Sequence, residues 1–559
     1  LKKYWATGSL ISTKMIRAGV FIINFFYCLT SAAQQPALSS SWQPVVKDGL
    51  YRNPILHADY SDPDAIRVGD NYYMTSSSFN HVPGLPLLHS RDLVHWKLIG
   101  HALPRLVPEE HFRTVRHGGG VWAPSIRYHG GEFYIFYPDP DFGIYMIKAA
   151  AISGPWSDPV LVMAGKGLID PCPLWDDDGK AWLVHAFAGS RAGIKSVLAV
   201  CPMAADGTKT IGQSRIVYDG HGIDPTVEGP KFYKRNGWYY IFAPAGGVST
   251  GWQIVLRSRQ IFGPYERKMV MSQGTSKING PHQGAWVDTP GGESWFLHFQ
   301  DLEAYGRIVH LQPMRWKNDW PIIGADKDGD SVGEPVLNHE LPLVTDQGPP
   351  VTPPESDEFD SGAHPFGPQW QWQANPAAHW AFSFNNHLRL YAQTWPDSNR
   401  NLWMAPHLLM QKLPSLSFTA TCFLKFHPAA DSDKAGLILF GSRYGYVAIE
   451  KAKVGYQLVR GFCANAERGE TEQKAVIRML KSSEIWLRLT VNEGMVQFYY
   501  SENGQQYQAA GQPFEAAAGK WVGAKMGLFC NQEKKSNDAG FADFDWFRVE
   551  ASGSESTVR

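Results

Sequence analysis

The chain has 559 residues, room for two or three domains, and its 44% hydrophobic against 19% charged residues excludes a disordered protein. A formal net charge of -1 excludes the broad basic field that would hold nucleic acid or an anionic membrane. Aromatic content is 13%, with 21 Trp, which suits strand cores and also supplies flat rings for stacking on sugars; composition alone does not separate the two.

Residues 1–33 read as an export leader. Arg17 supplies a basic start, 18–29 are largely apolar, and Ser31-Ala32-Ala33 offers the small residues of a cleavage site, with Met15 a candidate initiator. The expectation is an exported protein (periplasmic, cell-surface or secreted) beginning near Gln34, with an uncleaved interfacial anchor as the alternative. The apolar run is short for a bilayer, so no membrane span is expected in the mature protein. Five cysteines then remain, Cys172, Cys201, Cys422, Cys463 and Cys530. An odd, sparse set without Cys-x-x-Cys or His-Glu-x-x-His predicts neither a disulfide framework nor a zinc site.

From 45 to 340 the pattern is strand and turn. Five hairpins are legible: Tyr72–Thr75, Phe133–Tyr137, Ala181–Val184, Trp238–Phe242 and Ser294–Leu297 each follow a Gly-containing turn such as Arg235-Asn236-Gly237. The strand before each turn opens in phase with the others, at Asp62-Pro63-Asp64, Trp122-Ala123-Pro124, Asp170-Pro171-Cys172, Glu228-Gly229-Pro230 and Pro281-His282-Gln283. An all-strand repeat of about 50–60 residues predicts a propeller, here of five blades. A proline-rich linker is read at 341–355, through Gly348-Pro349-Pro350 and Pro353-Pro354. Residues 356–551 alternate or run apolar without that phase and predict a β-sandwich, jelly-roll-like. The fold class is therefore all-β, a five-bladed β-propeller followed by a β-sandwich.

The first strands of propeller blades line the axis, so in-phase positions converge at one mouth. Three of the five are carboxylates: Asp62, Asp170 and Glu228. Taken singly, Asp62 and Asp170 read equally as turn initiators before Pro, and Glu228 as a strand-edge charge. Together they place mutually repelling groups around one pocket, an arrangement stability alone does not favour. Hydrolysis of a glycosidic bond does require it, since one carboxyl must be protonated and another ionised. Asp176-Asp177-Asp178-Gly179 and Asp326-Lys327-Asp328-Gly329-Asp330 look like calcium loops but lack the later Glu and sit at turns. Gly118-Gly119-Gly120 is followed by no helix and predicts close passage of backbone rather than a phosphate cradle.

With Tyr60-Ser61-Asp62-Pro63-Asp64, Gly120-Val121-Trp122-Ala123-Pro124-Ser125, Leu168-Ile169-Asp170-Pro171 and Val227-Glu228-Gly229-Pro230 in order, the segment from 53 to 336 resembles glycoside hydrolase family 43. The region 358–549 is similar to the sandwich that follows such propellers. The resemblance implies an inverting exo-glycosidase acting on terminal β-D-xylose and/or α-L-arabinofuranose of xylan, arabinoxylan or arabinan oligosaccharides. It implies Asp62 as general base, Glu228 as general acid, and Asp170 as the residue that orients Glu228 and raises its pKa. Trp122 and Phe79 would be aromatic walls and Arg307 would bind substrate hydroxyls. His282 would face the channel near substrate or ligate a structural Ca2+; no cofactor is otherwise required. The partner expected is an oligo- or polysaccharide. Two alternatives are a retaining β-fructosidase-like hydrolase and a non-catalytic carbohydrate-binding protein.

Overall fold

The computed structural model describes residues 38–552, apart from 48, 346–347, 361, 363 and 396–399. The expected export leader lies outside the described residues. Five four-stranded antiparallel meanders follow one another in the chain. Their innermost strands are Asp64–Val68, Ser125–His129, Leu168–Trp175, Lys231–Arg235 and His282–Asp288. The second strands, such as Glu132–Asp139 and Trp238–Ala245, are buried along most of their length, because stacked blades cover both faces. Of the outermost strands, Val160–Ala164 and Arg215–Asp219 are largely exposed, whereas Trp320–Ile323 is mostly buried. At the turn Asn236-Gly237 both residues take positive φ, 52° and 73°, as a two-residue hairpin demands.

The ring closes by contact of the first and fifth innermost strands and by a backbone clasp. Leu56 and Val309 exchange N–H···O bonds of 3.3 and 3.1 Å. Asn53 adds a side-chain pair, Nδ2 to Leu311 O and Leu311 N to Oδ1, both 2.8 Å. The channel is filled. Asp64 Oδ2 accepts from Arg127 Nη1 (2.7 Å) and Ile126 N (2.8 Å), tying blade 1 to blade 2. Buried Lys231 reaches from blade 4 to Pro124 O (2.7 Å) and Ser125 Oγ (2.9 Å) in blade 2.

The C-terminal part is two packed sheets. One carries six strands in the order Leu409–Lys412, Lys525–Asn531, Lys434–Phe440, Tyr444–Lys451, Tyr456–Cys463, Gln473–Leu480. The other centres on Phe541–Ala551, Ser417–His427, Glu484–Asn492 and Met495–Ser501. Along Glu484–Asn492 burial alternates, turning Ile485, Leu487, Leu489 and Val491 inward. Ala304 and Tyr305 of the propeller join that same core. Further bonds cross between the two parts: Val82 and Trp372 exchange backbone bonds of 3.0 and 2.7 Å, and Ala524 N donates to Ala304 O at 2.7 Å. The five cysteines among the described residues are buried free thiols. No helix among the described residues is long and apolar enough to cross a membrane.

Candidate active site

All seven side chains singled out in the sequence, Asp62, Phe79, Trp122, Asp170, Glu228, His282 and Arg307, face one cavity of ≈ 380 Å³. In-phase blade starts thus converge as the repeat predicted. Asp62 and Asp170 both sit in the left-handed region, φ 54° and 56°, which Asp tolerates better than most residues.

Asp62 is held from several sides. Its Oδ2 accepts from Ser61 Oγ at 2.7 Å and Ser77 Oγ at 2.5 Å. Arg307 Nη1 donates to Oδ1 at 3.1 Å and Oδ2 at 3.3 Å, and also to Ser61 Oγ at 2.8 Å. Every partner donates, so the group serves only as an acceptor. Asp170 Oδ2 accepts from Gly229 N at 2.7 Å. It contacts the residue after Glu228 and acts on Glu228 itself through charge. Burial raises the Asp170 pKa, while the Gly229 N–H and the charges of Lys231 and Arg307 oppose that rise.

Glu228 keeps 27% of its side chain exposed, toward the cavity. Removal from water pushes its pKa up, and the charges of Asp170 and then Asp62 push it further. Of the coupled pair, Asp170 has the N–H donor that stabilises an ion, so the proton resides on Glu228. His282 Nε2 stands 3.6 Å from Glu228 Oε1, neither ring nitrogen has a hydrogen-bond partner, and burial holds the imidazole neutral, with a pKa lowered to about 3. The pocket can therefore present a proton donor and an ionised carboxylate to one substrate.

Aromatic rings form the walls. Trp122 donates Nε1–H to Gly118 O at 2.9 Å and lies 6.4 Å, ring centre to ring centre, from both Phe79 and Trp521. A Cβ at Gly120 would sit 2.3 Å from Phe79 O, which is the close backbone passage expected of the glycine run. Trp521 comes from the sandwich and is 48% exposed. Sequence reasoning missed it, since nothing in a sandwich loop signals a propeller pocket. Ser61 stood inside a recognised motif beside Asp62, so its role could have been read from adjacency, whereas Ser77, 15 residues further on, carried no such signal.

Calcium fits these residues poorly. A hard cation takes six to eight oxygens, whereas His282 brings ring nitrogens, and the innermost strands carry two cations of their own, Arg127 and Lys231. Among the described residues, the acid or imidazole cluster close enough to share an ion is Asp326, Asp328 and Asp330, outside the pocket. There Asp326 Oδ1 accepts from Gly329 N and Ser331 N and Oδ2 pairs with Arg315, as in a turn.

Comparison with known proteins agrees with this geometry. The family model of glycosyl hydrolases family 43 matches residues 51–321, and that of the beta xylosidase C-terminal concanavalin A-like domain matches 356–550. A relative from Xylanibacter ruminicola is 39% identical over 86% of either chain. A beta-xylosidase of Formosa agariphila is 32% identical over 90% of this chain and 91% of its own. A non-reducing end alpha-L-arabinofuranosidase of Bacteroides ovatus is 28% identical over 89% and 94%. The crystal structure of a xylan beta-1,4-xylosidase from Bacillus halodurans superposes with TM-score 0.78 at 26% identity, over 89% of this chain and 99% of that one. With convergent carboxylates, both domains matched and relatives aligned along nearly their whole length, the chain belongs to glycosyl hydrolase family 43 and is a glycoside hydrolase.

Proposed function

We propose that the protein is an inverting exo-glycosidase releasing terminal β-D-xylose and/or α-L-arabinofuranose from xylan, arabinoxylan or arabinan oligosaccharides. The observation that carries this reading is the form of the pocket. Three carboxylates line a cavity walled by Trp122, Phe79 and Trp521, with Lys231, whose charge reaches Asp170, crossing between blades 4 and 2. Such a pocket takes the end of a glycan rather than its middle. In this mechanism Asp62 takes a proton from water as that water attacks the anomeric carbon. Glu228 gives its proton to the departing oxygen, so that bond breaks as the new C–O bond forms on the opposite face. Asp170 keeps Glu228 protonated until that moment. Arg307 fixes Asp62 and reaches sugar hydroxyls. Acid, base and water complete the reaction without a cofactor. The pentose reading leans on the names of the relatives from Formosa, Bacteroides and Bacillus. Export ahead of the substrate, from the leader-like start, belongs to the same proposal.

The test is a panel of nitrophenyl β-xyloside, α-arabinofuranoside and β-galactoside, with the product anomer followed by NMR. Pentosides should be cleaved with inversion and the hexoside left intact. Asp62→Asn should lose at least about a thousandfold in kcat, as expected on removing a base that also supplies charge. Retention of configuration would overturn the mechanism, and preference for the galactoside would overturn the substrate class.

A further inference from the structure

We propose that Asp59 is a positioning residue that locks the sandwich onto the sugar pocket, holding Arg307 and the Trp521 loop in place at once. This rests on the reading that the pocket binds the glycoside, and on no particular sugar. Asp59 is buried, three residues before Asp62. Its Oδ1 accepts from Arg307 N at 2.9 Å and its Oδ2 from Gly523 N at 2.9 Å. One carboxylate thus joins the first blade, the fifth blade and the sandwich. The joint is tight: a Cβ on Gly306 would meet Asp59 Cγ at 2.5 Å, and one on Gly523 would meet Gly306 N at 2.7 Å.

Both partners lead directly to the site. Arg307 carries on through its side chain to Asp62. Two residues before Gly523 stands Trp521, in the left-handed region at φ 62°, with its ring 6.0 Å from the Arg307 guanidinium. On the sandwich side, burial lowers the proton affinity of half-buried Lys412 and buried Lys525, and the nearby Asp59 carboxylate partly offsets that. Neither of Asp59's bonds belongs to a sheet ladder, so they do not serve regular structure. They fix where two substrate-facing groups stand.

Asparagine at this position can accept only one of the two N–H groups and turns its own NH2 donor toward the other. Displacements near 1 Å at a catalytic centre cost on the order of 100-fold. The experiment measures kcat, KM and melting temperature for Asp59→Asn, Trp521→Ala and the double variant, on whichever glycoside the wild type cleaves best. Asp59→Asn should raise KM about tenfold and lower kcat, and Trp521→Ala should raise KM alone. Adding Trp521→Ala to Asp59→Asn should change KM less than twofold further, because the loop is already released. Wild-type KM and kcat in Asp59→Asn, with only a lower melting temperature, would overturn the proposal, as would KM effects that multiply. Should Asp59→Asn fail to fold, Gly523→Ala pushes the loop off the same joint, its new Cβ pressing on Gly306 N and Tyr305 O. It should reproduce the KM increase, and an unchanged KM there would overturn the proposal. Loss of pentoside preference in the wild type would sink the substrate assignment and leave this one standing.

Discussion

Glu228→Gln should make the protein more stable at neutral pH while disabling it. A carboxyl that ordinarily ionises near 4.5 is pushed up to about 8 here, by burial and by the neighbouring charges of Asp170 and Asp62. The folded state therefore binds a proton that the unfolded chain has released. Stability falls as pH rises from the usual carboxylate range toward 8 and is flat outside that window. At pH 7 holding the proton costs about 3 kcal/mol at most, since each pH decade is worth roughly 1.4 kcal/mol. Solvent at the mouth and charge sharing with Asp170 reduce this to roughly 2 kcal/mol. Glutamine fills the same space without the titration, so its melting temperature should exceed the wild type's by about 2–4 °C at pH 7.5 and match it near pH 4.5. Thermal scans of both proteins at the two pH values measure this. Equal melting temperatures at pH 7.5, or a glutamine variant that melts lower there, would show that Glu228 carries no burial penalty and is not a poised acid. Activity should fall least on aryl glycosides whose leaving group needs no proton.

Asp170→Asn removes the largest charge acting on Glu228, so the alkaline limb of the kcat/KM profile should move to lower pH, read from rates between pH 5 and 9. Arg307→Ala leaves Asp62 without its guanidinium and should cost roughly 100-fold in kcat/KM, whereas Lys at the same place should recover only part, lacking the planar fork. Treatment with EDTA should leave kcat/KM unchanged, and restoration of lost activity by calcium would refute the reading of a channel charged by Arg127 and Lys231. Protein secreted from its own host should begin near Gln34 by mass spectrometry.

The propeller was legible because its signal repeats: five turns, five strand starts and one phase. That same phase brought Asp62, Asp170 and Glu228 together on paper, since equivalent positions on stacked blades must share an axis. Phe79 and Trp122 followed from motifs. What stayed hidden depends on contacts without periodicity. Lys231 filling the channel, Asp59 at the joint and Trp521 on the wall each look like ordinary residues of a strand, a loop and a sandwich turn. The aromatic excess divides as composition could not show: Trp96 and Trp370 are wholly buried, while Trp122 and Trp521 face the cavity. The proline-rich stretch read as a spacer is pinned, with Thr352 Oγ1 and Glu355 accepting bonds from Ser39 and Ser40.

Asp59 and Gly523 stand 464 positions apart in the chain. A ribosome delivers the catalytic carboxylates in its first half of work, yet the last wall of their pocket emerges only with the final strands. Until then the ring waits on the clasp between Leu56 and Val309, and the nascent sheets have no cover. A stalled or clipped polypeptide would thus carry every acidic group yet lack the Trp521 wall, and should hold its glycoside more weakly.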